Sequence, residues 1–167
     1  ATSGSAGGLI GDASYTNISN SHATGKVTTL AVTSSGSAYN GGTGGLAGHL
    51  ANGTITNSYA TGNVTANGPH VGGLAGYVVG SSDLGHVPII NSHATGKVTG
   101  TNFVGGLTGG AFLVDIIGSW ASGNVSGDSN VGGLSGGITG TFTNSYWNVD
   151  TTGRSNAAGL QFATPEG

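Results

Sequence analysis

At 167 residues, with a formal charge of −3, no cysteine and only 5% charged side chains, the chain lacks disulfide staples, a Cys-based metal site and the basic surface that nucleic-acid binding requires. Its 36 glycines follow no Gly-X-Y period, and Leu, Val and Ile recur at fixed intervals, which excludes collagen and argues against disorder. No apolar run reaches the roughly 18 residues of a membrane-spanning helix.

In chain order, a weak "GGLIG" at 7–11 is followed by "NSHATGKVT" from Asn20, then by "GGTGGLAG" at 41–48 and "NSYATGNVT" from Asn57. The alternation continues with "VGGLAG" at 71–76 and "NSHATGKVT" from Asn91, then "VGGLTG" at 104–109 and "GSWASGNVS" from Gly118. It closes with "VGGLSG" at 131–136 and the divergent "NSYWNVD" from Asn144. Five copies of a two-motif unit are present, starting near residues 7, 44, 72, 105 and 132. The leucines Leu9, Leu46, Leu74, Leu107 and Leu134 are 37, 28, 33 and 27 residues apart, so the basal period is near 27. The excess falls in two insertions, at about 29–42 and 77–88.

Within a unit the apolar residues form three short groups separated by Gly or Asn: Leu46, then Ile55 with Ala60, then Val64. Groups this short, this rich in glycine and β-branched residues, are strands and not helices. The expected fold is all-β: a single right-handed parallel β-helix of about five coils over residues 1–167, with three short strands per coil. Stacked coils would align Leu9, Leu46, Leu74, Leu107 and Leu134 in one inward column and Ile18, Ile55, Ile89, Ile116 and Phe142 in a second. Val27, Val64, Val98 and Val125 would form a third. The paired glycines suit corners of positive φ or close backbone approach, and Asn20, Asn57, Asn91 and Asn144 suit an amide ladder. Residues 145–167 read as a terminal cap or exit segment, and the start at Ala1, with no initiator Met or signal peptide, suggests a processed or excised product.

The "VGGLAG…NSYATGNVT" pairing resembles the GLUG repeat, which occurs in large secreted bacterial proteins including filamentous-haemagglutinin-like adhesins. The resemblance implies a secreted, cell-surface location and an adhesive or spacer role, with no reaction to catalyse and no cofactor. The sequence itself agrees on catalysis: Asp12, Asp83, Asp115, Asp128, Asp150 and Glu166 share no motif position, so no carboxylate pair is expected.

If Ala23, Ala60, Ala94 and Ala121 face inward, then His22, Tyr59, His93, Trp120 and Tyr146 face outward as a column of rings. Such a column suits a host or matrix glycan or protein; alternatively the rings stack on one another and stiffen the face. Metal binding by His22 and His93 is not expected, because Tyr59 lies between them. Tyr39, Tyr77, Asp83 and His86 are the insertion residues best able to recognise a partner. Two further readings follow. Unpaired end coils would allow end-to-end self-association into a fibre, and the column Thr28, Thr65, Thr99 and Ser126 raises ice binding, although Lys26, Asn63, Lys97 and Asn124 interrupt that face.

Overall fold

The computed structural model describes residues 4–30 and 41–161, and among these the chain forms 25 short strands and one four-residue helix, Val149–Thr152. The strands assemble into five sheets of five, six, five, five and four strands, in which each strand pairs with its equivalents one coil away. The pairing is parallel and in register: Val71 sits against Thr43 and Val104, Ile89 against Ile55 and Ile116, Val98 against Val64 and Val125. This is a parallel β-helix.

Each of the first four coils contributes five segments and the fifth contributes four, where the sequence suggests three. Coil two runs Thr43–Gly44, Ala47–Ala51, Ile55–Thr56, Tyr59–Ala60 and Val64–Ala66. Two-residue strands carry no periodic apolar signature, so Ile55 and Ala60 read as one group. A left-handed residue at Asn57 (φ 49°) turns the chain between them. The same corner is left-handed at Asn20, Asn91 and Asn144 (φ 48° each) and at Gly118 (φ 56°), the two residue types that tolerate this conformation best.

The amide ladder expected at this corner is instead a serine ladder. The backbone N–H groups of Ser21, Ser58, Ser92 and Ser119 donate to the hydroxyls of Ser58, Ser92, Ser119 and Ser145, each at 3.1 Å. Each of those hydroxyls in turn donates to the carbonyl two residues earlier, at 2.8–3.0 Å. In coils two to five the serine after the left-handed corner residue therefore satisfies a backbone donor that the turn removes from the strand pairing.

The paired glycines serve close approach and not positive φ. A Cβ placed on Gly45, Gly73 or Gly106 would lie 2.7–2.8 Å from the inward Cβ of Ala60, Ala94 or Ala121 and would collide with the backbone of the next coil. Gly-Gly-Leu and Ser-x-Ala are thus two halves of one contact across the coil interior. The main core holds Leu46, Leu74, Leu107 and Leu134 with Ile55, Ile89 and Ile116, plus a further column of Leu50, Val78, Ala111 and Ile138. Val64, Val98 and Val125 do not join it; they pack with Val71 and Val104 as a separate cluster. Leu9 keeps its register beside Leu46, its N–H donating to the Leu46 carbonyl at 2.9 Å, but is 54% exposed because no described residue lies beyond the first coil to cover it.

The second insertion is shorter than its sequence boundaries. Ala75–Val79 and Val87–Ile90 are both paired strands, which leaves residues 80–86 as the excursion. The first insertion, with Tyr39, lies outside the described residues over most of its length. At the other end, the Trp147 ring lies against Gly133, with its Nε1 donating to the Arg154 carbonyl at 2.7 Å. Asn148 caps the helix by accepting from the N–H groups of Asp150 and Thr151. The Arg154 guanidinium donates to the Val125 carbonyl at 2.8 and 3.0 Å. Ala158–Gln161 then adds a sixth strand to the second sheet.

Candidate functional site

The fourth sheet comprises His22–Ala23, Tyr59–Ala60, His93–Ala94, Trp120–Ala121 and Tyr146–Trp147. Each strand has two residues: in the first four coils an alanine turns in against glycine and a ring turns out. In-register parallel pairing sets neighbouring rings near the strand spacing of about 4.8 Å, which is close to a stacking distance. The rings accordingly form one continuous ladder. Ring centroids are 5.1 Å apart for His22–Tyr59 and Tyr59–His93, 4.4 Å for His93–Trp120 and 6.2 Å for Trp120–Tyr146, with interplanar angles of 10°, 7°, 2° and 3°.

Stacking and outward display coexist in this arrangement. The interior rings cover one another's faces, contribute about 0.5–1.5 kcal/mol per pair, and show mainly their edges to solvent. Burial between Tyr59 and Trp120 holds His93 below the ordinary imidazole range, so that ring is neutral near pH 7. The ladder is broadest at its C-terminal end, where Tyr146 is 60% exposed.

The insertion residues do not converge with the ladder or with one another. Tyr77 is not on a projecting loop: it is a buried residue of Ala75–Val79, stacked between His49 (5.6 Å) and His70 (4.6 Å). Asp83 lies on the exposed turn closed by the Gly85 N–H donating to the Ser81 carbonyl at 2.8 Å. His86 pairs with Asp115 at 3.0 Å. Burial of Asp115 opposes its ionisation, but hydrogen bonds from His86 and Thr141 outweigh that and hold its carboxyl below the usual range. Among the described residues no three of His, Cys, Asp and Glu form a group that could hold a metal ion.

A second ring cluster escapes the sequence reading. His49, Tyr77, His70 and Phe103 stack along the outside of the first two sheets, with His70 and Phe103 at 5.2 Å. His70 is buried and left-handed (φ 57°), and its Nδ1 has no partner. The space its ring needs comes from Gly110, where an added Cβ would lie 2.6 Å from His70 Cδ2. The available signal was positional: His70, Phe103 and Asn130 each precede the Val-Gly-Gly of a repeat.

Fold and ladder together define a β-helical repeat module with one ordered aromatic face. The model of the GLUG motif matches residues 2–28 and 39–65, which span the first two coils, and the later coils continue the same register. No curated protein and no solved structure matches the chain.

Proposed function

We propose that this solenoid is a rigid adhesive and spacer module of a secreted bacterial surface protein, and that the ladder His22, Tyr59, His93, Trp120 and Tyr146 is the face it presents to a host or matrix glycan. The observation that carries this reading is the ladder itself: five rings held parallel by the backbone register, on a face where no charged side chain intervenes between them. A preorganised aromatic surface binds without the ordering cost that a flexible one must meet. The role is binding and spacing, not catalysis.

Two alternatives have less support. Ice binding would use the hydroxyls of Thr28, Thr65, Thr99 and Ser126, which do stack in register in the fifth sheet, but as a single column. End-to-end association draws on exposed Leu9 and Tyr15 in the first coil. Against it, Arg154 occupies the carbonyl of Val125 at the opposite end, so the two ends are not complementary across all five sheets. A glycan array tests the main reading: the protein should bind a defined subset of glycans, and Tyr59→Ala should lose that signal while keeping its far-UV spectrum. Undiminished binding by Tyr59→Ala sinks the ladder as the contact surface.

A further inference from the structure

The ladder is not uniform, and its irregular end has the features of a discrete pocket. Three successive gaps of 5.1, 5.1 and 4.4 Å leave no room over a ring face, whereas Trp120 and Tyr146 are parallel within 3° yet 6.2 Å apart. A cavity of about 390 Å³ opens there, lined by Trp120, Ala121, Ser122, Tyr146, Trp147 and Asn148. That volume lies within the range of about 300–1,000 Å³ usual for small-ligand sites. The cause is local to the last coil: Trp147 takes the place that alanine holds in the other four, and the chain then leaves the coil path for the helix Val149–Thr152.

The lining chemistry is specific. None of the six residues carries a charge. Among the described residues the Ser122 hydroxyl has no hydrogen-bond partner. Asn148 spends its Oδ1 on the helix cap, and among the described residues its amide N–H groups have no acceptor. Apolar ring surface beside uncommitted neutral donors and an acceptor complements a ligand with one C–H face and equatorial hydroxyls. We propose that this pocket is a subsite for a single neutral pyranose unit, held against the Trp120 and Tyr146 rings and hydrogen-bonded by Ser122 and Asn148. This rests on the glycan-binding reading and locates its specificity at the C-terminal end of the ladder.

Trp120 and Trp147 are the chain's two tryptophans, and both line the pocket, so intrinsic fluorescence reports its occupancy directly. The experiment titrates the full chain with methyl glycosides of neutral hexoses and N-acetylhexosamines, with sialic acid as the anionic control. A saturable change in tryptophan emission is expected with at least one neutral sugar and none with sialic acid. Tyr146→Ala should weaken that binding by about tenfold, through loss of one ring face. Ser122→Val, which leaves the ladder and helix cap intact, should weaken it measurably, while His22→Ala at the far end should not change it. Array binding that depends on Tyr59 but is indifferent to Tyr146→Ala and Ser122→Val would overturn the pocket and leave the ladder reading standing. Absence of binding to any glycan overturns both, and preference for the anionic sugar overturns the neutral subsite.

Discussion

Leu9 and Leu134 occupy the same place in the same Gly-Gly-Leu motif, yet Leu9 is 54% exposed and Leu134 is fully buried. Both have a coil on one side. The difference lies on the other: Leu134 lies under the segment leading to Ala158–Gln161, and its N–H donates to the Ala157 carbonyl at 2.9 Å. The comparison teaches that a repeat unit does not bury its own core residue. The motif supplies a side chain of the right shape, and the neighbouring coil removes it from water.

The largest expected effect sharpens this contrast. Leu107→Ala, with coils on both sides, should cost about 2–5 kcal/mol in urea unfolding, whereas Leu9→Ala should cost less than about 1 kcal/mol. Equal losses would mean that burial is a property of the motif and not of its neighbours. The serine ladder makes the same comparison with hydrogen bonds. Ser92→Ala leaves the buried Ser58 N–H without an acceptor and should cost about 1–3 kcal/mol. Ser21 accepts from no such N–H, so Ser21→Ala should cost about 1 kcal/mol or less.

The smallest effect concerns pH and sets the second ring cluster against the first. Burial holds His70 below the ordinary histidine value of 6.5, with nearby His49 adding to the shift and a backbone hydrogen bond to Gly41 opposing it. Tyr77 and Phe103 stack on its faces. The neutral ring is therefore the folded form: the stability it contributes is fully present above pH 6.5 and is lost as pH falls below that value. The melting temperature should drop between pH 6.5 and 5, and His70→Phe should flatten that part of the profile. An unchanged profile in His70→Phe would place the acid sensitivity elsewhere.

Much of the ladder is legible in the sequence. Parallel pairing of identical repeats converts sequence alignment into spatial alignment, so His22, Tyr59, His93, Trp120 and Tyr146 had to form a column once the alanines beside them were read as inward. Tyr77 reads from the sequence as an insertion residue because the motif ends at Gly76, whereas the strand runs on to Val79. His70 and Phe103 were missed because left-handed conformation at large side chains has no composition signal; it is set by the room that Gly110 leaves.

The repeat period, the inward columns of coils two to five and the outward column of rings are properties of the sequence alone, because each depends only on which residues recur at equal spacing. The division of the first four coils into five segments each, the exchange of an asparagine ladder for a serine one, the exposure of Leu9 and the gap between Trp120 and Tyr146 belong to the tertiary structure. Each of these depends on what lies across the coil interior or beyond the last coil, and those neighbours are distant in sequence, aperiodic, or present at one end only.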